Sequence, residues 1–193
     1  MSKKIIDHYN ESLRVFNEIY KDLDKIENIS NFLINKIKKK HKIFVYGNGG
    51  SFSDSSHFVG ELTSTYKNVK RKPLPFILLG SNMASVTAWS NDFNFNDYIT
   101  REFSGYAQNG DVLFLLTTSG GNIKNKQSIN LIKLAKYCKK NKIYLISFLG
   151  KGGGELIKYS NKYILVNSKN TGSIQEAHKM LLHSICSYLD NSF

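Results

Sequence analysis

The chain has 193 residues, 41% of them hydrophobic, which is enough for one well-buried core and too few for two ordinary domains with a linker. No apolar run approaches the roughly 20 residues that cross a bilayer, and Met1-Ser2-Lys3-Lys4-Ile5-Ile6-Asp7-His8 turns polar too soon for a secretory signal, so no membrane role and a cytoplasmic location are expected. The formal charge of +12 raises nucleic acid as a partner, but the lysines fall at helix ends and loops without interleaved aromatic residues, as in Lys139-Lys140-Asn141-Lys142, so a solvated basic surface is expected instead.

Residues 2 to 27 carry apolar positions at helical spacing (Ile5, Tyr9, Leu13, Phe16, Tyr20, Leu23) and predict a long amphipathic first helix. Residues 28 to 40 predict a second helix, with Ser30 as a candidate cap. A long helix ahead of the first strand must bury its stripe, and a second subunit is one place to do so, so an oligomer built partly from residues 1–40 is expected. Ile43-Phe44-Val45-Tyr46 then reads as a buried strand, followed by a glycine loop and a helix.

After a basic connector, Lys67 to Lys72, Pro73-Leu74-Pro75 leads into a second strand at Phe76-Ile77-Leu78-Leu79. A short helix from Ser81-Asn82 through Trp89, the turn-rich Asn91 to Asp97, and a helix ending near Gly110 follow. Asp111 to Leu116 is a third strand, Thr117 to Asn122 a second glycine-rich loop, and Ile123 to Asn141 a helix. Ile143 to Phe148, the loop Gly150 to Gly154, a strand at Lys162 to Val166 and a helix from Thr171 to Leu189 complete the chain. Cys138 and Cys186 stand alone inside helical stretches, as reduced core residues do. Strands alternating with helices predict a single α/β domain whose mainly parallel five-stranded sheet, residues 41–193, is flanked by helices. Right-handed crossovers put the loops after the first and third strands on one sheet edge, where such folds bind ligands.

The first of these loops carries the chemistry. In Gly47-Asn48-Gly49-Gly50-Ser51 the glycines let the backbone turn sharply and approach a ligand, and the amides at the following helix start favour an anion such as phosphate. Ser51 stands where its hydroxyl can cap the helix or bind that phosphate. His57 and Glu61 are four residues apart and share a helical face, so both can act on one substrate or one metal ion. Gly-Asn-Gly-Gly-Ser followed by Asp54, His57, Glu61 and Leu62 resembles the opening motif of the sugar isomerase (SIS) domain family, in its phosphoheptose isomerase branch.

Thr117, Thr118 and Ser119 offer three hydroxyls ahead of two glycines, which suits either a phosphate or a plain capping turn. Thr117-Thr118-Ser119-Gly120 is similar to the Ser-Thr-Ser-Gly phosphate loop of that family. On the last helix, at about 100° per residue, His183 lies roughly 80° from Gln175 on one side and His178 about 60° away on the other, so Gln175 with His183 is the working pair and His178 the structural histidine. Ile174-Gln175-Glu176, His178 and His183 match the closing motif of the phosphoheptose isomerases.

The resemblance implies a cytoplasmic homotetramer that interconverts sedoheptulose 7-phosphate and D-glycero-D-manno-heptose 7-phosphate, the first step toward activated heptose for bacterial lipopolysaccharide, capsule or other surface glycans. Isomerisation needs a base for a carbon-bound proton and an acid for the oxygen, roles that fall to Glu61 and His183. His57, Glu61, Gln175 and His183 form a metal set for which the resemblance implies zinc. Asn48, Gly49, Gly50, Ser51, Asn91, Asp92, Thr117, Thr118, Ser119 and Gln175 are the expected substrate contacts. Three departures stand out: Ser119-Gly120-Gly121-Asn122 reads as shorter than the family's Ser-Gly-Asn-Ser-x-Asn and lacks its last serine, Thr65 replaces an arginine, and Gly172 an aspartate. They leave open an isomerase of another sugar phosphate, or a phosphosugar-binding regulator without catalysis.

Overall fold

The computed structural model describes residues 2–193. The short apolar runs form five strands, β1 (Ile43–Gly47), β2 (Phe76–Leu78), β3 (Val112–Thr117), β4 (Tyr144–Leu149) and β5 (Lys162–Leu165), all parallel, in the spatial order β2-β1-β3-β4-β5. The two central strands pair from Ile43↔Val112 to Gly47↔Leu116 and are buried along their whole length. That is why they read as unbroken apolar runs and not as alternating ones.

The pleat divides the core in two. Ile43, Val45, Phe114 and Phe148 face α1 (Lys3–Ile19), α2 (Leu23–Lys38), α3 (Gly50–Thr63) and α7 (Thr171–Asp190). Phe44, Tyr46, Leu113 and Leu145 face α5 (Phe95–Tyr106) and α6 (Ile129–Lys140), with α4 (Met83–Asp92) at the margin. Both cysteines are free and buried, one in each half, and burial pushes both thiols up to about 12.

Two helix boundaries differ from the sequence reading. The break between the first two helices falls at the 3₁₀ turn Tyr20–Asp22, well before residue 27, and Ser30 is no cap. It lies inside α2, fully buried, and its hydroxyl donates to the Ile26 carbonyl at 2.9 Å, the i−4 bond by which a serine is accommodated in a helix. Likewise α6 begins at Ile129, not at 123. The backbone of Gly120, Gly121, Lys126 and Ser128 has positive φ, and Asn122 pairs with Gln127 across a tight turn, which no helix can contain.

α1 packs on α7 through Val15 and Ile19 and through polar links, His8 to Glu176 at 3.0 Å and the Ser12 hydroxyl to Glu176 at 2.5 Å. Flanking that face, Ile5 and Tyr9 are left 62% and 63% exposed, and Tyr20 in the turn that follows α1 is 74% exposed.

His178, on α7, is wholly buried, its Nε2 donating to the Leu149 carbonyl at 3.3 Å while Nδ1 has no partner. Burial pushes its pKa down to about 4 from the usual 6.5. A depressed imidazole pKa means the unfolded chain binds the proton first, so stability is full above about pH 6.5 and falls as the pH drops toward 4, by about 3 kcal/mol from this group. Urea denaturation of the parent chain and of His178→Gln at several pH values should show a shallower acid loss in the variant; equal slopes would refute the assignment.

Candidate active site

Because the strand order reverses beside β1 and β3, the loops after these strands frame a crevice at the carboxyl edge of the sheet. At the end of β1, a Cβ on Gly47 would lie 2.7 Å from the Ser51 Cβ and 2.8 Å from the Leu116 carbonyl, so only glycine fits. Gly49 then takes φ 57° and ψ −124°, a conformation reserved for glycine, and is itself the N-cap of α3. Ser51 is therefore not the cap. It lies within the first turn, buried, and its carbonyl accepts from the Ser55 hydroxyl at 2.7 Å.

Asn48 is held by a reciprocal amide pair with the buried Asn130 at the start of α6: Asn48 Nδ2 donates at 3.0 Å and Asn130 Nδ2 returns a bond at 2.8 Å. The Tyr46 hydroxyl donates to Asn48 Oδ1 at 3.2 Å, and burial pushes its pKa up to about 12. The first loop is thus fastened to the helix that follows the second.

In the second loop, the Thr117 hydroxyl accepts from the Ser119 and Gly120 amides at 3.3 Å each, a capping turn. Ser119 Oγ meets Ser128 Oγ at 3.4 Å. The sequence reading found the loop's last serine missing; in the fold Ser128 returns beside Ser119, and Asn130 beside Asn48, after the turn Gly121 to Gln127. Gly120 is clamped against the β4 loop, where a Cβ would stand 2.0 Å from the Gly153 carbonyl.

His57, Glu61 and His183 converge where α3 meets α7. His57 Nε2 lies 3.1 Å from Glu61 Oε1 and 3.1 Å from His183 Nε2, so one ring donates its N–H to the bare nitrogen of the other. Burial first, and the adjacent His57 next, hold His183 below the usual imidazole pKa, which makes the neutral ring its resting form. Tyr66 stacks on His183, and the Lys179 ammonium on α7 meets the buried Asp54 of α3 at 3.2 Å. Two nitrogens and one carboxylate oxygen are zinc-type donors, and their 3.1 Å spacings are close to the edge of a tetrahedral zinc site, about 3.3 Å. Among the described residues, however, no three or more His, Cys, Asp or Glu side chains are disposed to hold a metal ion, and the His57 and His183 nitrogens that would face one are hydrogen-bonded to each other.

Gln175 stands apart from this trio. Its amide nitrogen covers Gly50, 2.2 Å from where a Cβ would be, so it joins the glycine loop. Asn91 donates to Asp92 at 2.8 Å at the exposed end of α4, and neither bonds another expected site residue among the described residues. Asp92 instead edges a cavity of about 690 Å³ between α4 and α5, while Asn48 and Gly49 line a neighbouring one of about 420 Å³ with Tyr46, Phe52 and Tyr98. Neither hollow contains His57, Glu61 or His183, which open onto the α3–α7 surface. The donors on that surface are of the kind that transfer protons or bind metal, whereas the glycine-loop cavity is mostly apolar, with Phe52, Met83, Val86 and Phe95 in its lining. Tyr46, Ser128 and Asn130 escaped the sequence reading; the one signal was a lone asparagine in the apolar helical run Ile129 to Leu134.

The SIS domain family model matches residues 7–150. The chain is 34% identical to a phosphoheptose isomerase of Campylobacter concisus over 93% of its own length and 92% of that protein. It is 34% identical to one from Nitratiruptor sp. over 100% and 98% of the two chains. A solved phosphoheptose isomerase of Francisella tularensis superposes with a TM-score of 0.90 at 25% identity, covering 99% of this chain and 100% of that one. A family model matched over most of the chain, and relatives 34% identical over nearly the full length of both chains, make this chain a member of the SIS domain family, among its phosphoheptose isomerases.

Proposed function

We propose that the protein is an aldose-ketose isomerase that converts sedoheptulose 7-phosphate to D-glycero-D-manno-heptose 7-phosphate. One observation carries the reading: Glu61 and His183, from different helices, both stand within 3.1 Å of His57 Nε2, beside a glycine loop suited to phosphate. In the ketose, Glu61 takes a proton from C1 while His183, protonated from solvent beforehand, gives one to the C2 oxygen, leaving an enediol. Glu61 then returns its proton to C2 as His183 accepts the one on the C1 oxygen, leaving the aldehyde at C1. The depressed pKa of His183 makes its charged form a stronger acid than a free imidazolium. His57 Nε2, 3.1 Å from each, lies between the two partners.

The amides at the start of α3 and the hydroxyls of Thr118 and Ser119 hold the phosphate, with Asn48 fixed by Asn130. Zinc is the proposed cofactor: His57, Glu61 and His183 would hold it once their hydrogen bond opens, with Gln175 as a fourth donor only if it swings off Gly50. Bound there, the ion would polarise the carbonyl oxygen. The exposed apolar face of α1 supports a homo-oligomer, a tetramer in this reading, that covers the open α3–α7 surface. No helix among the described residues is long and apolar enough to cross a membrane, and a cytoplasmic location is proposed, with the product directed to surface glycans such as lipopolysaccharide or capsule.

NMR of the metal-stripped protein with sedoheptulose 7-phosphate, with and without zinc, tests this. The parent chain should form the aldoheptose phosphate, and Glu61→Gln should lose about 10²–10⁴-fold in kcat. No conversion under either condition would overturn the reading and leave another phosphosugar or a binding role. Asn130→Ala frees Asn48, so KM should rise about tenfold, the equivalent of one buried hydrogen bond, with kcat little changed; an unchanged KM would remove Asn48 from phosphate binding.

A further inference from the structure

The connector after α3 contains one residue that does not behave as a surface cation. Arg71 has a wholly buried side chain, and its partner Asp190, at the end of α7, is 3% exposed. Its Nε donates to Asp190 Oδ1 at 2.6 Å. Nη1 donates to the Leu62 carbonyl at 2.9 Å and to that of Lys72 at 2.8 Å, and Nη2 to the Glu61 carbonyl at 2.8 Å. Asp190 Oδ2 in turn accepts from the Lys67 and Asn68 amides at 2.7 and 2.6 Å.

The last carbonyls of a helix have no partner within it, and a cation is favoured there by the helix dipole. Here the guanidinium supplies both needs at the very turn of α3 that carries Glu61. Its other end is anchored seven residues beyond His183, two turns along the same face of α7. One planar group therefore spans the helix bearing the base and the helix bearing the acid. Simple stability is a poor account of this arrangement, because buried ion pairs are often no more stabilising than apolar side chains of the same volume.

We propose that Arg71, with Asp190, is a positioning residue for the reaction, fixing the backbone of Glu61 against the His183 face of α7. The inference rests on the roles given above to Glu61 and His183. Lysine cannot replace the arginine, since a single ammonium lacks the fork that reaches the Glu61 and Leu62 carbonyls and Asp190 together.

The test compares Arg71→Lys, the apolar double variant Arg71→Met with Asp190→Leu, and Leu189→Ala, a neighbouring core truncation on α7 chosen as a stability control. Asp190→Asn serves as the mildest change if the double variant does not fold. For each, thermal unfolding, kcat, KM and the ¹⁵N chemical shifts of the His57 and His183 rings are measured. The clamp variants should remain folded, lose about 10²-fold in kcat, as misplacement by about 1 Å would cause, hold KM within about threefold, and shift both imidazole signals. Leu189→Ala should lower the melting temperature yet leave kcat within about twofold and the ring signals in place. Clamp variants that are folded with unmoved ring signals, or a control that loses as much kcat, would overturn the proposal. If the parent chain lacks isomerase activity, the reaction assignment falls and the ring signals alone decide the clamp.

Discussion

The close approach of β1 to β3 at their carboxyl ends is what the rest of the site depends on. Gly47 sits where any side chain would strike both the first turn of α3 and the backbone of Leu116. With no side chain there, α3 can start within hydrogen-bonding distance of the sheet edge, Ser51 packs inward, and Gly49 makes the one backbone turn that points the helix start into the crevice. The same squeeze recurs between the second and third glycine loops, where Gly120 and Gly154 pass each other backbone to backbone and the Glu155 and Leu156 amides bond the Gly121 and Gly120 carbonyls at 3.0 and 2.9 Å. Three loops that would be mobile singly become one frame.

In the proposed reaction, that frame separates binding from chemistry. Anion-directed groups lie at the strand ends, whereas the proton-transfer groups lie about two turns down α3 and face α7. A substrate bridging the two must be an extended one with its charge at one end, a description met by a long sugar phosphate. The polar links of α1 to Glu176, next to Gln175, place the N-terminal helix against the same end of α7, so whatever covers the exposed face of α1 also sits close to the site.

Much of the fold is visible in the residues themselves. Ile43 to Tyr46 and Val112 to Leu116 are too apolar and too β-branched or aromatic to be anything but central strands, and the glycine runs behind them mark the ligand edge. The spacing of His57 and Glu61 gives a shared helix face, and the offset of His183 from His178 separates a site residue from a core one. What was misread lay where local signals compete. Ser30 looks like a cap because serine favours caps, yet the apolar stripe of Ile26, Ile29 and Leu33 continues through it, so burial against α7 carried the helix on. The turn from Gly121 to Gln127 carries lysine and asparagine in left-handed or bridged positions, and this delayed α6 to Ile129.

By itself, then, the sequence determined the parallel α/β architecture, the glycine loop and the pairing of His57 with Glu61, because each follows from periodicity or from spacing within one element. The resemblance already set His183 beside that pair; tertiary structure alone decided that Gln175 covers Gly50, that Asn130 fastens Asn48, and that Arg71, one more cation in a basic connector when read along the chain, is buried against Asp190. Each of these joins residues far apart in sequence, Arg71 to Asp190 across 119 positions and His57 to His183 across 126. Such contacts come from how helices pack over the sheet, and no local spacing records that packing.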